Sequence, residues 1–133
     1  MKIYVAGGWF TPEQEKALTI VENVVKQTRN NHFMPRHMNL GIEGVDWQKV
    51  FDSNIAHLDD CDIVVASTEG KDMGTLWECG YAYGKGKEIV YFTNGIPKPN
   101  LMLGFSGIIC STYKELHMYL NNGILPEEIG DYE

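Results

Sequence analysis

The stretch that decides the fold is DIVVASTEGKDMGTLWECGYA, residues 62–82. It joins an apolar segment typical of a buried strand to a polar loop, and then to a small-residue turn that opens a helix. In α/β proteins, ligands bind at junctions of this kind. Two carboxylates lie there, Asp72 and Glu78, and Glu78 falls in the first turns of the helix, where the helix dipole favours an anion. Glu78 is therefore predicted to be an ionised carboxylate that faces a substrate.

Short apolar segments alternate with helical stripes along the rest of the chain. The predicted strands are 3–6, 32–34, 62–66, 88–92 and 107–110, the predicted helices are 12–29, 47–58, 74–84 and 112–120, and the predicted irregular segments are 35–44, 94–100 and 126–133. This alternation, with right-handed crossovers, gives a parallel sheet covered on both faces. We expect one α/β domain over residues 1–133: a doubly wound, mostly parallel five-stranded sheet of the flavodoxin or Rossmann type.

The start of the first helix carries several agreeing signals. Thr11 can cap the helix, Pro12 suits its first position, and Gln14 completes a capping box. This pattern fixes where the first strand and its following loop must end.

Composition excludes several classes of protein. With 44% hydrophobic residues, the chain is typical of a globular protein, and its net charge of −7 repels a phosphate backbone, so a nucleic-acid polymer is not expected as a partner. No run of 18 apolar residues exists that could cross a membrane. The three scattered cysteines predict no disulfide framework and favour a reducing cytoplasm, and neither cysteines nor histidines have metal-ligand spacing. No metal or other cofactor is expected.

The loop after the first strand reads Gly7-Gly8-Trp9-Phe10. It lacks the GxGxxG spacing of a dinucleotide site and any phosphate-binding lysine–serine pair. An indole beside two glycines fits an aromatic wall for a flat ligand better than a phosphate cradle. The alternative is that Trp9 and Phe10 only plug the end of the sheet.

The two acids of the opening stretch also have a purely structural interpretation. An acid in a first helical turn is usually a solvated dipole partner, and Asp72 can simply cap the helix. Against this, both acids fall at the expected ligand edge, and Trp77 and Tyr81 give Glu78 a partly apolar neighbourhood. Two acids at one cleft can divide the work between a nucleophile and a positioning or proton-handling group.

Four segments together point to a family. They are IYVAGGWF (3–10), SNIAHLDDCDI (53–63), DMGTLWECGYA (72–82) and KPNLM (98–102). In this order they resemble the nucleoside 2-deoxyribosyltransferases, whose signature D-x-G-T/L-x-x-E-x-G-x-A matches the third segment. The resemblance runs over roughly residues 2 to 110. It implies transfer of 2-deoxyribose between the nucleobases of small deoxynucleosides, as in nucleoside salvage.

The resemblance also implies roles for the matching residues. Glu78 corresponds to the nucleophile that attacks the anomeric carbon and holds a covalent glycosyl-enzyme. Asp72 corresponds to the acid that holds the sugar hydroxyls or orients the cleft, and Tyr4 to a tyrosine that positions the nucleophile.

Further matches imply substrate contacts and an assembly. The first loop would surround base and sugar, and the late loop would reach into the site of a neighbouring subunit, which implies a homo-oligomer of dimers that extends to a hexamer. The residues concerned are Gly7, Gly8, Trp9, Phe10, Asn100 and Met102.

Two positions depart from the family pattern. Asn54 stands where relatives carry an aspartate that exchanges a proton with the base, and an amide can hydrogen-bond to a base but cannot be a general acid. Where relatives offer a base-contacting glutamine, this chain reads Arg36-His37-Met38-Asn39.

Two other functions stay open at this point. One is an N-glycoside hydrolase of the same superfamily that acts on nucleosides or nucleoside 5'-monophosphates. The first loop lacks the serines and arginine that bind phosphate in such hydrolases, although Arg36 could take that part. The other is a weakly active nucleoside-binding protein, which Asn54 favours and the joint presence of Tyr4, Asp72 and Glu78 opposes.

Overall fold

The computed structural model describes residues 1–38, 44–95 and 98–133. Its sheet contains five strands: β1 (Lys2–Ala6), β2 (Asn31–Phe33), β3 (Ile63–Ser67), β4 (Glu88–Phe92) and β5 (Ile108–Cys110). The helices are α1 (Pro12–Gln27), α2 (Pro35–Met38), α3 (Trp47–Asp60), α4 (Met73–Gly84), α5 (Leu101–Ser106) and α6 (Tyr113–Asn122), and a 3-10 turn covers Glu69–Lys71.

The strands are ordered β2-β1-β3-β4-β5, and every pair of neighbours is parallel. This is the order of flavodoxin-like sheets, in which the direction of winding changes between β1 and β3. The predicted doubly wound α/β fold is confirmed, and the sheet is parallel throughout. The change of direction opens a crevice beyond the C-terminal ends of β1 and β3.

The side chains of alternate strand residues pack in two hydrophobic cores, one on each face of the sheet. Ile3 and Val5 of β1 pack with the apolar stripe of α1 and with Leu116 of α6. Tyr4 and Ala6 face the other way and pack with residues of α3 and α4. The period of two along each strand therefore places Tyr4 on the face where α4 lies.

The capping box predicted at the start of α1 is present. Gln14 N donates to Thr11 Oγ1 at 3.1 Å, and Thr11 N donates to Gln14 Oε1 at 3.1 Å, with Pro12 at the first helical position. The loop after β1 therefore ends at Thr11, as the sequence indicates.

Two short helices were not predicted: α2 replaces part of the predicted irregular segment 35–44, and α5 lies in residues 101–106, to which the sequence pattern assigns no element. Pro35, which we expected to begin a loop, begins α2, since its fixed φ also suits a first helical position. Asn100 caps α5, which is too short at six residues to give a periodic pattern. Of the predicted loops, residues 39–43, including Asn39 and Gly41, and residues 96–97 lie outside the described residues.

The predicted irregular tail contains no helix or strand, but it is attached to the loop before α5. Leu101 N donates to Glu133 O at 3.2 Å, and Glu133 N donates to Pro99 O at 3.1 Å. The ring of Tyr132 lies so close to Gly104 that a Cβ there would be 2.2 Å from it. The position of the late loop thus depends on the tail.

Within the described residues, no helix combines the length and apolar character needed to cross a membrane.

Candidate active site

A cleft of about 190 Å³ opens at the change of winding direction between β1 and β3. Fourteen residues line it, and they come from the end of β1, the loop after it, α1, the region around α2, α3 and the start of α4. Among the predicted site residues, the cleft brings together Glu78, Asp72, Asn54, Gly7, Trp9 and Phe10. Tyr4 is fully buried directly beneath Glu78.

The central contact of the cleft joins β1 to α4. The Tyr4 hydroxyl donates a hydrogen bond to Glu78 Oε2 across 74 residues of sequence. Tyr4 is held in turn by the ring of Phe33 on β2, with ring centroids 5.5 Å apart. A buried tyrosine in the inner strand β1 therefore fixes the orientation of one carboxylate oxygen at the cleft.

The surroundings of Glu78 shift its pKa. Burial raises its pKa to about 7, the Tyr4 hydrogen bond acts in the opposite direction, and the nearby charge of Asp72 raises the pKa further. Burial and the charge of Glu78 also raise the pKa of Tyr4, so that its hydroxyl stays a donor. A carboxylate poised near neutrality in a cleft is typical of catalytic sites.

Asp72 caps α4, as its structural interpretation predicts. Its Oδ2 accepts from Thr75 N at 3.0 Å and from Thr75 Oγ1 at 2.7 Å. The other oxygen, Oδ1, makes no hydrogen bond within the described residues. The Asp72 carboxylate thus caps the start of α4 with one oxygen, and its other oxygen is free to bond to a molecule in the cleft.

Asn54 reaches the cleft from α3. Its Oδ1 is buried and has no hydrogen-bond partner in the described part of the chain. Asn54 and Glu78 also border a second hollow, which continues between α3 and α4 along Phe51 and Trp77. Since buried polar atoms are normally paired, this amide oxygen lacks a partner that a bound molecule can supply.

The loop after β1 forms one wall of the cleft. Trp9 and Phe10 stack with ring centroids 5.3 Å apart; Trp9 is half-buried against the core, and Phe10 is exposed. Trp9 therefore covers the sheet end, as the structural interpretation predicts, and it also lines the cleft. Gly7 lines the cleft too, whereas Gly8 is buried behind it against Gln14 and Asp72.

A buried ion pair forms another part of the cleft, and our sequence analysis did not identify it. Arg36 Nη2 bonds to Glu22 Oε1, and Glu22 Oε2 lies 2.9 Å from His37 Nε2. Glu22 sits among the apolar positions of α1, between Leu18 and Val25. A charged residue on the side of a helix that faces the core requires a buried partner. The position of Glu22 in this apolar stripe was therefore the sequence signal for a buried ion pair.

The late-loop residues lie elsewhere in the chain. Asn100 Oδ1 accepts from Met102 N at 2.8 Å and caps α5. Both residues line a separate cavity of about 500 Å³ between α4, β4 and α5, which shares no residue with the cleft. Met102 is 70% exposed. Within one chain, therefore, the late loop does not meet Glu78.

The cleft is acidic. Among the described residues, its charged side chains are Glu22, Asp72, Glu78 and Arg36. The described part of the chain has no group of three or more His, Cys, Asp or Glu placed to hold a metal ion. Three carboxylates and one paired guanidinium suit a neutral or cationic ligand better than a phosphate.

Comparison with known proteins connects this site to one family. A sequence model of the nucleoside 2-deoxyribosyltransferase family matches residues 3–111. The structure is similar to that of the 2-deoxyribosyltransferase from the psychrotolerant bacterium Bacillus psychrosaccharolyticus, with a TM-score of 0.76, 29% identity, and coverage of 90% of this chain and 92% of that one. No curated protein sequence matches the chain significantly.

Two more distant structures share the fold. A conserved protein from Enterococcus faecalis V583 has a TM-score of 0.75 and 16% identity over 93% of this chain and 99% of that one. A CMP N-glycosidase from Clostridium botulinum has a TM-score of 0.62 and 14% identity over 90% and 98%. At these identities the likeness concerns the fold alone.

The raised pKa of Glu78 gives a pH-dependent prediction for stability. The pKa of Glu78 rises from an ordinary value of 4.5 to about 7 in the folded chain. Between these two pH values the folded state binds more protons than the unfolded state. The free energy of unfolding therefore decreases as the pH rises through this range. Glu78→Gln removes this loss. Urea unfolding should show the variant gaining about 2 kcal/mol relative to the wild type between about pH 5 and pH 8.

Tyr4→Phe should change the pH dependence of stability in the direction opposite to Glu78→Gln. It removes the hydrogen bond that lowers the pKa of Glu78, so the wild-type loss of stability should extend to higher pH. Parallel stability curves for the wild type and Glu78→Gln would contradict the raised pKa.

Proposed function

The chain belongs to the nucleoside 2-deoxyribosyltransferase family of transferase enzymes, and from this premise we propose that it moves 2-deoxyribose between nucleobases through a covalent glycosyl-enzyme on Glu78. The observation that carries the proposal is the hydrogen bond from buried Tyr4 to Glu78. It directs one carboxylate into a cleft whose other lining groups can hold a sugar and a flat base.

The proposed reaction has two displacements. A carboxylate oxygen of Glu78 attacks C1' of the deoxyribose, and the C1'–N bond breaks with its electron pair leaving on the base. A second base then attacks C1' with a ring nitrogen, and the ester to Glu78 breaks. Two inversions give net retention, and Glu78 returns as a carboxylate.

Tyr4 and Asp72 support the nucleophile in different ways. The Tyr4 hydroxyl keeps one oxygen of Glu78 in place, so the other can be presented to C1'. The free Oδ1 of Asp72 can accept a hydrogen bond from a sugar hydroxyl, while its Oδ2 stays bound to Thr75. The capping role and the proposed sugar contact therefore coexist in one side chain.

The charges of the cleft favour donors with a free 5'-hydroxyl. Arg36, the residue that could have bound a 5'-phosphate, is paired with Glu22. A phosphate dianion in the cleft would also face Asp72 and Glu78. Of the alternative functions, hydrolysis of nucleoside 5'-monophosphates is thus disfavoured. Hydrolysis of deoxynucleosides is distinguished from base exchange by the products that the enzyme forms.

We further propose that the working enzyme is an oligomer in which Asn100 and Met102 of one subunit complete the cleft of another. Supporting this, both lie away from Glu78 in their own chain, and exposed apolar side chains surround them, among them Leu101 and Phe105.

The three cysteines are buried and unpaired, which fits the proposed cytoplasmic location.

Glu78→Ala tests the central step. The wild type, given deoxyinosine and free adenine, should form deoxyadenosine, and the variant should be slower on the order of a thousandfold or more, because the covalent route is lost. A 2-fluoro-deoxyribonucleoside should add its sugar mass to the peptide that contains Glu78. Release of free deoxyribose alone would identify a hydrolase, unchanged substrate would favour a binding protein, and near-normal exchange by Glu78→Ala would reject the mechanism.

Subunit mixing tests the shared site. Oligomers of Glu78→Ala and of Asn100→Ala should each have low activity. Refolding them together should restore activity, because a mixed pair contains one site with both wild-type groups. Asn100→Asp, which can still cap α5, controls for loss of the helix cap. A fully active monomer in light scattering, or no recovery on mixing, would contradict the proposal.

Asn54→Asp tests whether α3 contributes to proton transfer. If Asn54 faces the base, the introduced acid should speed exchange by roughly ten- to a hundredfold and should add a decline at high pH, because only the protonated acid donates. Gln48→Glu makes the same change on the exposed side of α3 and should leave the rate unaltered. Identical pH–rate profiles with a purine and a pyrimidine donor would remove Asn54 from the mechanism.

A further inference from the structure

Gln14 connects the two loops that border the cleft. It is 6% exposed, although it lies in the first turn of α1. Its Oε1 accepts from Phe10 N at 3.0 Å and from Thr11 N at 3.1 Å. Its Nε2 donates to Glu69 O at 3.3 Å, which is 55 residues away in the loop between β3 and α4. One buried amide therefore bonds to both loops.

The backbones of both loops close tightly around this amide. A Cβ at Gly8 would lie 2.8 Å from Gln14 Nε2, and a Cβ at Gly70 would lie 2.4 Å from it. Gly70 also has a φ of +74°, a conformation that favours glycine. The Gly8 position is in turn 3.1 Å from Asp72 Cβ. The loop that contains Trp9 and Phe10 and the loop that leads to Asp72 therefore pack closely against Gln14, without free space between them.

Helix capping explains only part of these contacts. A capping box needs an acceptor at this position, and glutamate serves as well as glutamine. At α6 a glutamate in the corresponding position makes one of these bonds: Glu115 Oε1 accepts from Ser111 N at 3.0 Å, as Gln14 Oε1 accepts from Phe10 N. Only an amide can also donate to Glu69 O. The bond between the loops is therefore the part that requires glutamine.

We infer that Gln14 is a positioning residue for the reaction: it holds the Trp9–Phe10 wall at a set distance from Asp72 and Glu78. This inference rests on the proposed function. The wall would pack on the base while Glu78 attacks the sugar, so the spacing of the two loops determines how base and nucleophile align. Displacements of about 1 Å can cost about a hundredfold in rate.

Two substitutions separate the bonds of Gln14. Gln14→Glu keeps the acceptor for Phe10 N and Thr11 N, loses the donor, and sets a carboxylate oxygen against Glu69 O. Gln14→Met keeps the side-chain length and loses all three bonds. We expect Gln14→Glu to raise KM for the acceptor base and to lower kcat/KM by roughly ten- to a hundredfold, with a smaller change in kcat, and Gln14→Met to lower kcat/KM further. Thr112→Ala, which removes the side-chain cap of α6, should change stability and leave both kinetic constants unaltered.

Amide hydrogen exchange tests the same inference independently of activity. In Gln14→Glu the amide of Lys71, which bonds to Thr68 O at 3.0 Å in the second loop, should exchange faster, while those of Phe10 and Thr11 stay protected. In Gln14→Met all three should exchange faster. Unchanged Lys71 exchange in both variants, or wild-type KM and kcat/KM in an active Gln14→Glu enzyme, would overturn the inference. Absence of base exchange in a wild type whose Lys71 responds as expected would overturn the proposed function instead.

Discussion

The hydrogen bond between Tyr4 and Glu78 is the contact on which the rest of the site depends. It requires a tyrosine in β1 that points toward α4, and a helix that follows β3 and carries its carboxylate back over β1. The parallel pairing of β1 with β3 satisfies both conditions, because it brings the C-terminal ends of the two strands to the same edge. The fold thus positions the proposed nucleophile through the adjacent strands β1 and β3 and the helix that follows β3.

Burial gives this contact its chemical meaning. In water the Glu78 carboxyl would be fully ionised at neutral pH, whereas its position above the core and beside Asp72 brings its pKa to about 7. The same burial weakens solvation of the carboxylate, so in the reaction that we propose its ionised form would be less shielded when it attacks the sugar. Tyr4 keeps the ionised form accessible by donating to it. Helix, strand and core therefore set the reactivity of Glu78 together.

Much of this arrangement could be predicted from sequence, because it depends on local signals. The strand and helix in residues 62–82, the capping box at Thr11 and the grouping of Asp72 with Glu78 each follow from short-range patterns. Sequence reasoning missed a contact between two helices and a helix of only six residues. The pair of Glu22 with Arg36 joins α1 to α2, and α5 is too short to have a period. The whole-chain likeness to one family supplied roles that residue patterns alone left open.

Gly104 and Tyr132 illustrate a constraint of a different kind. Glycine in the middle of a short helix costs about 1 kcal/mol relative to alanine, and nothing local in α5 explains its presence. The ring of Tyr132 occupies the space that a side chain at residue 104 would need. The two positions therefore constrain each other, because a side chain at residue 104 fits only if the ring at residue 132 moves away or is replaced by a smaller group. We expect relatives that lack this glycine also to lack the aromatic ring.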